Sequence, residues 1–403
     1  MFYKRTRLFV LFNLLNFFHI LGSLFTRKKN FLTLLKKFLQ VDNIMLTSFG
    51  RVALYDLIKI IITQTNKRTF YIAPYTIPAV IHAITYAGGK VSYIDIDWRT
   101  GLIDENKLEK KINTDSAGVI ITHLYSNKDH IKNFIKKFNN RIKIIEDAAI
   151  NFGAKIDDKY LGTLADFGFY SFAMVKNLNT FTGGAIYIKE KKIFEEYIQN
   201  RKVEKFPLLM TLKLLFTAIF IKIFFNNYFY QITHYVLNFV YSRKINFILK
   251  KIYPVLFHKL EEKTPKSYNY DFNWAMDRVA VYNLQNIDNK ISERILKAKA
   301  YKELLNNDVV IKTDCLNGDN ALLEYPIFLK HISNKQAHKI LMAKGYDIRH
   351  TWYINNIKEE VNFNKEDFNN SFYLEKKIFC LPLHENISNN DIKKISKIIN
   401  NFR

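Results

Sequence analysis

Between Thr47 and Glu190, short apolar runs alternate with segments whose apolar residues recur at helical spacing. The runs TFYIA (69–73), KVSYID (90–95), AGVIITH (117–123), IKIIED (142–147), GFYSF (168–172) and AIYI (185–188) are rich in β-branched and aromatic residues and predict strands. Segments 51–64, 78–87 and 128–138 predict amphipathic helices. Strands alternating with helices imply an α/β fold with a largely parallel sheet covered on both faces. Ligands of such sheets bind beyond the carboxyl ends of the strands. Asp147 and Ser171 fall at two such ends, so a site is expected there.

After Glu190 the pattern changes. The stretch 191–265 contains LLMTLKLLFTAIFIKIFF, NYFYQITHYVLNFVY and INFILKKIYPVLF, which predict several unusually apolar helices. Lys213 and Lys222 interrupt the first run, and a lysine near a bilayer centre costs about 2.5–3.5 kcal/mol. A hairpin lying on a membrane, or packing on a partner subunit, therefore fits better than a clean span. From residue 295 onward the texture is again α/β, with LLEYPIFLK (322–330) as a strand and NKQAHKILMAKGY and NNDIKKISKIINNF as helices.

At the N-terminus, LFVLFNLLNFFHILGSLF (8–25) is apolar for 18 residues, interrupted by Asn13, Asn16 and His19 and flanked by basic clusters. No good small-residue cleavage site follows, which argues against a signal peptide. An interfacial anchor, a full span and a helix docked on the fold all remain, and the polar interruptions favour the first. The expected organisation is an N-terminal hydrophobic, basic helical segment (1–45), a large domain (46–190) and a hydrophobic, basic helical insertion (191–265). A return to the large domain (266–294) and a small C-terminal α/β domain (295–403) follow.

The chain has 403 residues and a formal net charge of +24. Nucleic acid, an anionic membrane and anionic substrates could each explain that charge, and so could codon bias, given the abundance of Lys, Asn, Ile and Phe. Its distribution is more telling. Residues 1–40 carry Lys4, Arg5, Arg7, Arg27, Lys28, Lys29, Lys36 and Lys37 with no acid, and no Asp or Glu occurs from Lys205 to Leu260. Basic charge sits where the chain is most apolar, which points to a membrane surface rather than nucleic acid. Cys315 and Cys380 are the two cysteines, far apart, so neither a disulfide scaffold nor a metal site is expected.

The segments that carry chemistry are LTSFGRVALYDLIKI (46–60), IIEDAAINFGA (144–154) and GFYSFAMVKNLNTFTGGAIYI (168–188). A pyridoxal-phosphate site needs a lysine to hold the aldehyde, a carboxylate to keep the pyridine nitrogen protonated, and donors for the phosphate. Lys176, Asp147 and the helix start at Gly50 supply these types. Each has a plain alternative. Lys176 would be a solvated charge, Asp147 a helix cap, Gly183–Gly184 a turn, and Ser171 a strand-end hydroxyl. Order and spacing together favour the site. His123 and His384 are expected to be structural, and Arg349 and His350 to face the substrate from the small domain.

In order and spacing the chain resembles the DegT/DnrJ/StrS family of sugar aminotransferases. The likeness runs from about Phe31 to Arg403, broken by 191–265, through FGRVALY, APYTIPAVIHAITYAGGKVSYIDID (73–97), ITHLYS (121–126), EDAA and YSFAMVKNLNTFTGGA. It resumes with FNWAMDRVAVYNLQNID (272–288), GYDIRHTWY (345–353) and LPLHENIS (381–388). The resemblance implies a fold type I pyridoxal-phosphate-dependent transferase working as a homodimer. Lys176 would bind the cofactor covalently and shuttle the proton, and Asp147 would pair with the pyridinium. Ser171 and the Gly50–Arg51 backbone would hold the phosphate, joined by Asn273 of the neighbouring subunit. Glutamate as amino donor, a nucleotide-linked keto-sugar as acceptor and a role in surface polysaccharide or lipopolysaccharide synthesis are implied too. The location would be cytoplasmic, at the inner face of a membrane.

The chain departs from the family at Ile77 (usually an aromatic stacking on the cofactor), Ile150 (Gln), Phe152 (often His), Arg51 (Thr) and Thr182 (Glu). These departures leave two alternatives. One is a non-catalytic, membrane-associated scaffold of the same fold. The other is a sugar dehydratase, against which Lys176 speaks because family members of that kind carry histidine there.

Overall fold

The computed structural model describes residues 30–125, 128–224, 263–313, 320–349, 353–360 and 363–402, with isolated positions such as Ile20, Gly22 and Tyr230. The apolar run 8–25 apart from Ile20 and Gly22, most of the insertion beyond Phe224, and His350 lie outside the described residues.

A seven-stranded sheet forms the main body. From edge to edge its strands are Ile44–Thr47, Gly184–Ile188, Phe167–Ser171, Lys143–Asp147, Ser116–Thr122, Thr69–Ile72 and Lys90–Tyr93. The last five run parallel, whereas Gly184–Ile188 is antiparallel to Phe167–Ser171 and to Ile44–Thr47. All six strands expected from the apolar runs are present, as are helices Gly50–Thr65, Pro78–Tyr86 and Lys128–Phe138. The edge strand Ile44–Thr47 is an addition that periodicity did not announce.

Alternation along the strands divides the core in two. Tyr71, Val119, Ile121, Ile144 and Tyr170 point into one cluster, while their neighbours Phe70, Ile72, Ile120, Ile145 and Phe169 point into the other. Burial on both faces is why these strands read as continuous apolar runs. The covering helices follow the same logic. In Lys128–Phe138, Ile131, Phe134 and Phe138 are buried, each worth about 1.5–3 kcal/mol on removal from water.

A three-stranded antiparallel sheet of Val310–Lys312, Glu324–Leu329 and Ile378–Pro382 forms the C-terminal part. Helix Asn334–Ala343 starts on a Ser333–Gln336 capping box, and helix Asn389–Ile399 on a Ser388–Asp391 one. A longer-range cap fixes helix Asn30–Leu39, because the Asp277 carboxylate accepts from Phe31 N at 3.0 Å and Asn30 N at 3.3 Å. A negative charge at a helix N-terminus is favourable.

The described part of the insertion includes helices Lys191–Asn200 and Leu208–Phe224. In the second, Leu215 and Ala218 pack with Ile20, Phe181, Met276 and Val279, and Met174 adjoins this cluster. That helix thus braces the loop that carries Lys176. Among the described residues, no helix is long and apolar enough to cross a membrane.

Candidate active site

Asp147 is the last residue of its strand and buried. Its Oδ1 accepts from Ala149 N at 3.1 Å and its Oδ2 from Thr122 Oγ1 at 3.5 Å. Burial pushes its pKa up, opposed by the Ala149 hydrogen bond and by the charge of Lys176. The preceding residue, Glu146, faces the other way. It accepts from Gly162 N at 2.9 Å, Leu164 N at 2.6 Å and Ala165 N at 2.7 Å, with His123 Nε2 at 2.9 Å. His123 is thus held by Glu146, and it also bears electrostatically on Asp147.

Lys176 is half-buried in the loop after Phe167–Ser171. Burial lowers its pKa to about 8, opposed by the charges of Asp147 and Glu324 and reinforced by Arg349. The loop around it is firmly tied. Asn177 Nδ2 donates to Ala321 O at 2.7 Å, Lys290 Nζ to Asn177 O at 3.2 Å, and Asn283 Nδ2 to Asn179 O at 2.6 Å. Phe181 takes a left-handed conformation (φ 63°), costly for a side chain of that size, and its burial against the insertion helix holds it there.

Gly50 opens helix Gly50–Thr65, whose N-cap Phe49 is extended and supplies no side-chain cap. The first N–H groups of the helix then face a region suited to an anion. Space explains the glycine. A Cβ on Gly50 would lie 2.8 Å from Ser171 Cβ, and one on Gly184 would lie 2.6 Å from Gly50 N. The helix start, Ser171 and the Gly184 strand therefore meet backbone to backbone. Thr182 Oγ1 donates to Ser48 O at 2.7 Å, tying the two loops together. Gly50→Ala is expected to cost about 1–3 kcal/mol of stability from overpacking and to weaken phosphate binding. Denaturant unfolding and titration with pyridoxal phosphate check both, and unchanged values would refute this account of the cradle.

A cavity is lined by Tyr75, Ile150, Asn151, Glu324, Tyr353 and Cys380, among others, of which Glu324 and Tyr353 are within electrostatic reach of Lys176 and Asp147 respectively. Tyr75 and Tyr353 meet edge-to-face at 5.5 Å. Asp147 and Glu324 both act on the buried Tyr353 hydroxyl, whose pKa lies well above the ordinary value, chiefly through burial. Glu324 and Tyr353 were not singled out from the sequence. Both lie in apolar or aromatic surroundings of the C-terminal part, and only the packing of that part against the large sheet brings them here. Arg349, expected to face the substrate, does lie within electrostatic reach of Lys176.

Four further positions singled out in the sequence can be located. The Arg51 side chain stacks on the Phe49 ring at 4.0 Å, so the backbone of Arg51 is the part suited to an anion. Asn273 is buried and within its own chain donates to Thr211 Oγ1 at 3.0 Å. Phe152 is core, stacked on Phe38 at 5.5 Å. Ile77 packs against both clusters of the main sheet.

The residues present fit pyridoxal phosphate. An amine able to shed its proton near neutrality, a carboxylate on the adjacent strand and a glycine-lined helix start are the groups that cofactor requires. Fold and site together define the fold type I architecture of pyridoxal-phosphate-dependent transferases. Residues 22–203 match the model of the DegT/DnrJ/EryC1/StrS aminotransferase family.

A UDP-4-amino-4,6-dideoxy-N-acetyl-beta-L-altrosamine transaminase of Campylobacter jejuni is 36% identical over 129 residues, covering 30% of this chain and 34% of the relative. The aligned stretch is thus about a third of that relative's length. Two solved structures cover nearly the whole chain at low identity and share its fold. The Escherichia coli GDP-4-keto-6-deoxy-D-mannose-3-dehydratase with bound hydrated PLP has a TM-score of 0.72 at 14% identity, covering 99% of this chain and 100% of its own. A Helicobacter pylori aminotransferase involved in the biosynthesis of pseudoaminic acid has 0.70 at 15%, covering 99% and 97%.

Proposed function

We propose that the chain is a pyridoxal-phosphate-dependent aminotransferase that moves an amino group from glutamate to a nucleotide-linked keto-sugar, for surface polysaccharide or lipopolysaccharide. The observation carrying this is Lys176 within electrostatic reach of Asp147 beside the Gly50 helix start. When bound, pyridoxal phosphate supplies an aldehyde that takes up an amino group and a ring that accepts electrons. Lys176 Nζ, with its lowered pKa, is an amine that can bond to that aldehyde and a base that can carry a proton to and from the substrate carbon. Asp147, as an anion, favours a protonated ring nitrogen. The N–H groups of Gly50 and Arg51 with Ser171 would hold the phosphate in a homodimer; Asn273 would join them from a second subunit only by leaving its bond to Thr211. In this reading 46–190 and 266–294 form the cofactor domain and 295–403 the small domain, with Glu324, Arg349 and Tyr353 facing the acceptor.

The named transaminase relative supports the sugar class of acceptor. A dehydratase is disfavoured because a lysine, not a histidine, occupies position 176. The location we propose is the cytoplasmic face of a membrane, which rests on other residues. The test is to incubate purified protein with nitrogen-labelled glutamate and a panel of UDP-, GDP- and dTDP-linked keto-sugars. Label is expected in one amino-sugar product. A protein that binds no pyridoxal phosphate and transfers no label would overturn the assignment in favour of a scaffold.

A further inference from the structure

Helix Leu208–Phe224 is apolar apart from Lys213, Lys222 and its threonines, yet one side alone is covered. Thr211, Leu215 and Ala218 are buried. On the opposite arc Leu209 is 78% exposed, Phe216 70%, Leu208 58% and Phe220 54%, with Leu212, Ile223 and Phe224 also exposed. At helical spacing these residues form one continuous stripe. An exposed apolar patch of this kind marks an interaction site.

We infer that this stripe is a docking surface for an anionic lipid bilayer, with the helix lying in the interface plane. Charge selects the occupant. From Lys205 to Leu260 the chain carries Lys205, Lys213, Lys222, Arg243, Lys244, Lys250, Lys251 and Lys259, and no acid. Lys205 and Lys213 are exposed beside the stripe. A second copy meeting this face through a two-fold axis would set the same lysines against each other, with no acid in the segment to pair them. An anionic headgroup layer neutralises them while the acyl boundary takes the Phe and Leu side chains. Ile20 is fully buried in the same cluster as Leu215 and Ala218. The inference goes beyond the transferase assignment and does not depend on it.

The experiment sediments the full-length protein with vesicles of phosphatidylcholine alone or mixed with phosphatidylglycerol, at physiological salt. Binding is expected to the mixed vesicles, with only part released by high salt, because apolar burial is not screened. Joint substitution Leu209→Ser, Phe216→Ser and Phe220→Ser should cut partitioning about tenfold or more. Lys205→Ser and Lys213→Ser should each cut it about fivefold, and circular dichroism should report unchanged folding in all variants. Protein left in the supernatant with both vesicles would overturn the inference, as would the apolar variant binding like the parent. Loss of a dimer on ultracentrifugation of the apolar variant, with vesicle binding intact, would assign the stripe to a second copy instead.

Discussion

Lys176→Ala is expected to abolish the visible absorbance of lysine-linked pyridoxal phosphate and to lower transamination by roughly 10²–10⁴-fold or more, the range typical of a lost proton-transfer group. Lys176→Arg should fare no better, since a guanidinium keeps its charge but does not deprotonate to a nucleophile. Turnover near the parent's in either variant would remove Lys176 from this role. The lowered pKa adds two further signs. Reactivity of the cofactor-free protein toward pyridoxal phosphate should rise as pH passes through about 8, where the amine loses its proton. The unfolded chain binds this proton more tightly than the folded one, so Lys176 costs stability below about pH 8, and the cost fades as pH climbs from about 8 to the ordinary 10.5. Cofactor-free Lys176→Ala should therefore melt above the parent at neutral pH, with a gap that narrows in alkali. Calorimetry across that window checks the sign.

Asp147→Asn should retain the cofactor but lose transamination by roughly two to four orders of magnitude, because an amide cannot supply the charge that favours a protonated ring nitrogen. It should also act on its neighbour. The charge of Asp147 opposes the burial-driven lowering of the Lys176 pKa, so its removal should move the pH dependence of lysine reactivity to lower pH. A near-normal rate would show that another group does this work, and an unmoved pH profile would show that the two residues are not coupled.

Much of this site was visible in the linear sequence because its parts sit at punctuation marks. Asp147 and Ser171 end β-branched or aromatic runs, and Gly50 begins a helical one. What stayed hidden depends on distant partners. IMLT at 44–47 is too short to declare itself, and becomes a strand by pairing with Gly184–Ile188. Asp277 looks like a first-turn acid of its own helix, yet it also caps residues 30 and 31. Glu324 begins a strand of the other sheet, and its local sequence gives no sign that its carboxylate will act on Lys176. The Arg51 side chain settles on the ring of Phe49 next to the helix start, a contact that spacing alone did not announce.

Glu146 and Asp147 are consecutive acids with opposite duties, one enclosed by amide donors and the other turned to the lysine. Their roles are assigned by parity alone, since neighbours on a strand project to opposite sides. A slip by a single residue would place the longer acid at the reacting centre and bury the shorter one where three N–H groups await a carboxylate. The strand Lys143–Asp147 is flanked on both edges by parallel partners in fixed pairing. The sheet thereby acts as a ruler, and which of the two acids faces the lysine is a property of counting rather than of composition.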